Sequence, residues 1–140
     1  MQPTRASAAS LAGRWVYRSF IDSPDAAESF DKLRLAVATF DLQAEAGGAF
    51  TGAATTERWR LNLAGQVDGN GRATMRATQG DANTAGWHYE YVGWIVPHWA
   101  EATQPRPTFV GSVLRVADHD NLRGGISKGG LTYSFVAVKS

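Results

Sequence analysis

Residues 58–79 alternate apolar and polar side chains on both sides of a four-residue reversal, and only an antiparallel sheet uses such a pattern well. Trp59, Leu61, Leu63, Gly65 and Val67 share one face, and Arg58, Arg60, Asn62 and Gln66 share the other. Asp68-Gly69-Asn70-Gly71 reverses the chain, because these residues tolerate positive φ. Ala73, Met75 and Ala77 then return on the inner face, with Arg72, Thr74, Arg76 and Thr78 outside. The hairpin therefore has one buried face and one wet face. Its four arginines form a solvated surface without interleaved aromatic residues, which is not a single-strand nucleic-acid groove.

The rest of the chain extends the same reading. Residues 11–20 predict a first strand with Trp15, Tyr17 and Ser19 on one face. Asp22-Ser23-Pro24-Asp25 breaks it, and Asp25 with Glu28 has capping-box spacing, so a short helical turn is expected over 25–32. Residues 33–45 predict a second strand whose apolar parity changes, with a bulge expected near Thr39. A third strand is expected over 49–56 and a fourth and fifth in the hairpin. Residues 87–97 predict a sixth, 108–117 a seventh and 131–139 an eighth. With no crossover helix, eight strands form an all-β, antiparallel up-and-down meander, and closing it into a barrel removes both edges. Residues 1–10 read as a flexible arm and 11–140 as a single barrel domain.

Composition narrows the function classes. The 140 residues carry a formal net charge of +1, which gives no electrostatic case for nucleic acid or an anionic membrane. No cysteine is present, so disulfides, thiolate chemistry and cysteine-ligated metals are excluded. No histidine spacing suits a structural metal, and nothing in the pattern calls for a cofactor. No run reaches membrane-spanning length, and residues 1–10 lack the apolar stretch of a signal peptide, so a cytoplasmic protein is expected.

The sixth strand is the most aromatic stretch, and the sequence leaves its parity open. One face holds Trp87, Tyr89, Tyr91, Gly93 and Ile95; the other holds His88, Glu90, Val92, Trp94 and Val96. Alternation makes Tyr17, Trp59, Met75, Tyr89, Tyr91, Tyr133 and Phe135 candidate ligand-binding residues around an apolar cavity. Small residues at Gly52, Gly65, Ala73, Ala77, Gly93 and Gly111 are expected to leave room inside. Two carboxylates are candidate acid or base groups, Glu90 if its face turns inward and Asp41 if the second strand carries no bulge. Arg115, if inward, needs a carboxylate partner, for which Asp41 is the candidate; outside, it is simply solvated. His88 and His98 are weighed as haem ligands, and Asp118-His119-Asp120 reads as solvated loop chemistry. Strands six to eight are apolar on both faces, through Val92, Trp94, Val110, Leu114, Val116 and Val136, so a homo-oligomer through them is expected.

At Gly13-x-Trp15 the chain resembles the calycin superfamily, the lipocalins and avidins, and Gly48-Ala49-Phe50-Thr51-Gly52 has the shape of an avidin-type turn-and-strand element. The resemblance implies an eight-stranded barrel, a tryptophan plugging its closed end, and a ligand held inside. The chain departs from the pattern late in the last strand, where Lys139 stands in place of the lipocalin arginine. The avidin biotin-binding set has no residue-by-residue counterpart here. The allene oxide cyclase barrel is a second analogue, by architecture alone.

Two functions follow as expectations. The first is binding of a small, mostly apolar or aromatic molecule inside a lipocalin-like barrel. The second is an enzyme on the same barrel, a cyclase, isomerase or hydrolase using one acid or base. Strand direction places loops 21–32, 80–86 and 118–130 at one mouth, and 46–48, 68–71 and 97–107 at the other end beside Trp15.

Overall fold

The structure is a computed structural model describing residues 11–96 and 106–140. The expected N-terminal arm and most of loop 97–107, including His98, lie outside the described residues. Eight long strands close into an antiparallel barrel: β1 (Gly13–Ile21), β2 (Arg34–Ala44), β3 (Ala49–Thr55), β4 (Arg60–Val67), β5 (Arg72–Gln79), β6 (His88–Val96), β7 (Thr108–Arg115) and β10 (Thr132–Lys139). Each pairs with its neighbours in meander order, and β10 returns to β1 to close the wall. Between β7 and β10 the chain forms a small two-stranded ribbon, β8 (His119–Asp120) and β9 (Ile126–Ser127). No helix among the described residues is long and apolar enough to cross a membrane.

The hairpin of β4 and β5 has the expected alternation. Leu61, Leu63, Val67, Ala73, Met75 and Ala77 are buried, while Arg60, Arg72 and Arg76 are exposed. Asp68 Oδ1 accepts from the amides of Asn70 and Arg72, and Gly71 alone in this turn takes positive φ. The parity of β6 is also settled: Trp87, Tyr91 and Ile95 are buried and Tyr89 is half-buried, so the odd-numbered face is the inner one.

The second strand differs from expectation in a way its small residues explain. Its extra residue is Leu35, since Ser19 pairs with Ala36 but Phe20 pairs with Arg34. From there the even positions face inward, with Ala38, Phe40 and Leu42 buried and Val37 67% exposed. The larger Leu35 and Val37 obscure this parity, because the inner side chains at this end of the strand are the small Ala36 and Ala38. They face inward near Tyr17, which pairs across with Ala38 and whose ring stacks on Phe40 at 4.6 Å. The first inter-strand loop carries its helical turn slightly later than expected, as a 3-10 helix at Phe30–Leu33. Asp25 Oδ1 accepts from Ala27 rather than closing a box with Glu28.

The barrel is packed at one end. Trp15 and Leu11 are fully buried there, and Trp15 Nε1 donates to the Leu11 carbonyl at 2.8 Å. The register sets Lys139 directly opposite Trp15, and an added Cβ at Gly13 would meet Lys139 Cε at 3.1 Å. The lysine stem therefore crosses the Gly-x-Trp segment. Above this plug, Phe40, Phe50, Met75, Phe109 and Phe135 fill the interior. The glycines do not hollow it. A Cβ at Gly65 would strike the Phe50 ring at 2.5 Å, and one at Gly93 would strike the Val110 carbonyl at 2.0 Å. They are places where strands or rings approach too closely for a side chain.

Candidate functional site

The opposite end is open. A cavity of about 170 Å³ lies under the loops that precede β2, β4 and β6 and under the β8–β9 ribbon. Each of those loops is fixed by local hydrogen bonds. Thr56 Oγ1 accepts from the amides of Arg58 and Trp59, which seats Trp59. Asp81 and Thr84 form a reciprocal capping box on a short 3-10 turn, and the buried Thr84 hydroxyl also donates to the Arg60 carbonyl at 2.8 Å. The turn delivers Trp87, whose Nε1 donates to the Asp120 carbonyl. Asn121 Oδ1 accepts from the amides of Arg123 and Gly125, which closes the ribbon turn.

The apolar walls are Trp59, Leu61, Trp87, Tyr91 and Val113, together with Tyr17 and Leu35. Trp59 and Trp87 lie 5.6 Å apart between ring centres, and His119 stacks on Trp87 at 4.3 Å. A hydrogen-bonded chain runs along one wall. His119 Nδ1 is 2.9 Å from the Asp120 carbonyl, which can only accept, so Nδ1 carries the proton. Nε2 is then the acceptor for the Tyr89 hydroxyl at 2.6 Å. Tyr89 in turn accepts from Arg115 Nε at 3.2 Å. Burial holds His119 below its ordinary value, and the nearby Arg115 charge works in the same direction against the Asp120 carbonyl. Burial pushes the Tyr89 phenol up, and Arg115 opposes that shift. At neutral pH the chain therefore holds a neutral imidazole and a protonated phenol beside a cation.

Arg115 is inward and only 8% exposed. Its Nη1 donates to the Lys128 carbonyl at 3.1 Å, and its guanidinium lies 5.1 Å from the centre of the Tyr133 ring. The expected carboxylate partner is not there. Asp41 stands on the outer face and pairs with Arg14 at 3.3 Å, both of them exposed. Glu90 also stands outside, where His88 and Arg76 donate to it at 2.8 and 2.9 Å. Its slight burial works upward, but those two donors hold it below the usual carboxylate value. The inward placement that made Glu90 and Asp41 acid–base candidates is thus replaced by two outer ion pairs. Haem ligation by His88 loses its geometry for the same reason, and no group of metal-ligating side chains gathers among the described residues.

Of the expected ligand-binding residues, Tyr17, Trp59, Tyr89, Tyr91 and Tyr133 line the cavity. Met75 and Phe135 are buried in the packed interior below it, so they support the floor. Ser19, Trp87, Asn121 and His119 join the site without having been singled out for it, and Asp118-His119-Asp120 is not simply solvated. A signal for His119 was present: Asn121-Leu122-Arg123-Gly124-Gly125 is a Gly-containing hairpin loop between two short segments. Comparison with known proteins matches no family model and no curated protein.

Proposed function

We propose that this barrel binds a small, mostly apolar or aromatic molecule in the cavity at its open end. The observation that carries the reading is an aromatic-walled cavity of about 170 Å³ above a packed floor. An apolar cavity of about 150 Å³ already accepts benzene, so the space suits one ring with a short substituent. Six hydroxyl-bearing residues at the wall, Tyr17, Ser19, Tyr89, Tyr91, Ser127 and Tyr133, supply orienting groups. Titrating the protein with phenol or phenylacetamide tests this, since Trp59 and Trp87 line the cavity and report occupancy by fluorescence. Saturable quenching that disappears in Val113→Phe, which fills the space, supports the reading. Quenching unchanged by Val113→Phe, or none up to millimolar probe, overturns it.

A second reading is favoured by the Arg115–Tyr89–His119 chain. On an enzyme enclosing an apolar substrate, Tyr89 and His119 would be the acid–base pair, in the role first considered for Glu90 and Asp41. Tyr89→Phe separates the readings. A binder keeps its affinity for an apolar ligand within a few fold, whereas an enzyme using the phenol loses turnover by about 10²-fold or more.

A further inference from the structure

We propose that the molecule held in the cavity is a small organic anion, a one-ring carboxylate, and that Arg115 is the seat of its charge. The proposal rests on the reading of the cavity as a ligand site and names the class of ligand.

A guanidinium is a permanent cation in proteins, and that of Arg115 belongs to a side chain more than nine-tenths buried. A buried guanidinium is normally paired with a carboxylate. Here two of its nitrogens are used, Nε on the Tyr89 hydroxyl and Nη1 on the Lys128 carbonyl, and both acceptors are neutral. The tyrosine rings of Tyr89 and Tyr133 lie 5.7 and 5.1 Å from its carbon, which eases the charge without cancelling it. Nη2 has no partner among the described residues, and Arg115 lines the cavity.

Four of the acids near this end or first considered for it are engaged elsewhere, and Asp120 is exposed to solvent. Glu90 is held by Arg76 and His88 on the outer wall, and Asp118 by Lys128 and the Gly129 amide. Asp22 accepts from Ser134, and Asp41 pairs with Arg14. Among the described residues, no aspartate or glutamate lines the cavity. His119 cannot serve as the counter-charge either, because an imidazole is neutral or cationic and never anionic. The cavity thus joins an aromatic slot of one-ring size to a cation lacking an anionic partner, and a one-ring carboxylate satisfies both. A charge-assisted hydrogen bond in a half-buried site is roughly twice as strong as a neutral one, which gives the carboxylate its preference over an uncharged isostere.

The test compares phenylacetate with phenylacetamide, which share ring and shape but differ in charge. Calorimetric titration of the wild-type chain at neutral pH should show phenylacetate binding about tenfold tighter or more. Arg115→Met should erase that difference while leaving the amide's affinity nearly unchanged. Arg115→Lys keeps the charge without the planar fork and should retain part of the preference. Should Arg115→Met fail to fold, the Arg115 Nε–H resonance in the wild-type chain decides the matter, because phenylacetate must shift it more than the amide does. Equal binding of both probes overturns the anion proposal while leaving the cavity reading in place. Binding of neither overturns both. A preference for phenylacetate that survives Arg115→Met, or an Nε–H resonance that phenylacetate leaves unmoved, also overturns the proposal by placing the anion elsewhere.

Discussion

His119 and Arg115 each owe their role to what stands across the barrel mouth from them. An imidazole in a Gly-rich loop is ordinarily solvated and titrates freely. Here the ribbon lays it on Trp87, with the Tyr89 hydroxyl at Nε2 and the Asp120 carbonyl at Nδ1. Burial and Arg115 hold its proton affinity below the ordinary value of 6.5. The unfolded chain then takes up a proton first as pH falls, so the stability that His119 contributes is complete above about 6.5 and declines below it. Thermal melts of wild type and His119→Gln between pH 8 and pH 5 should converge as the pH falls, provided the variant is the less stable at pH 8. Melts that stay parallel would show that His119 titrates alike in both states. Glu90 and Asp118 shift in the same direction for a different reason, since donors favour their charged form whereas burial disfavours that of His119. They are carboxylates held low by donors, and their contribution is withdrawn only at more acidic pH, below about 4.5 for Glu90.

At the scale of the strand, alternation carries most of the information and small residues carry the errors. The β4–β5 hairpin was legible because its inner face carries Leu61, Leu63, Val67 and Met75, its outer face carries Arg60, Arg72 and Arg76, and its turn is held by Asp68. The β2 strand was misread because Ala36 and Ala38 face inward while Val37 faces water, which reverses the apparent pattern. The glycines were legible as positions but not as causes. Gly93 and Gly111 are directly paired on β6 and β7, and a Cβ on either would come within 2.0 Å of the other strand's backbone. Gly93→Ala should therefore destabilise the chain by about 1–3 kcal/mol or more, as overpacking does. Urea unfolding measures it, and a cost below a few tenths would mean that the two strands separate freely. A cavity-based reading of this glycine predicts the reverse, since a methyl filling empty space stabilises.

The whole molecule divides into a plugged end and an open end, with a wall whose outer surface is uneven. Around β4 and β5 that surface is arginine-rich, while β6 and β7 expose Val92, Trp94 and Leu114, with Trp94 53% exposed. The expectation that a second copy covers these residues has a direct check. Sedimentation velocity of the wild type at tens of micromolar should show a dimer or larger species, and Trp94→Lys should sediment as a monomer. A wild-type monomer at those concentrations ends the expectation, and Trp94 is then one exposed aromatic on a patchy surface.

The sequence by itself determined the strand count, the meander order and the inner face of most strands, because a period of two is local and each strand repeats it. It also separated the two ends, since strand direction alternates and loops 21–32, 80–86 and 118–130 must emerge together. The inward placement of Tyr17, Tyr89, Tyr91 and Tyr133 follows from the same period. What only the tertiary structure decided was the parity of β6, where both faces are apolar enough to bury, and the bulge at Leu35, where register depends on the partner strand. It also decided the depth at which packing stops, so that Met75 and Phe135 became floor while Tyr17 and Tyr91 became wall. The Arg115–Tyr89–His119 chain lay beyond local pattern altogether. Its members are 26 and 30 residues apart along the chain, and it is the β6–β7 register pairing Tyr89 with Arg115, with the ribbon after β7 folded onto Trp87, that sets a charge, a phenol and an imidazole along one edge of an open cavity.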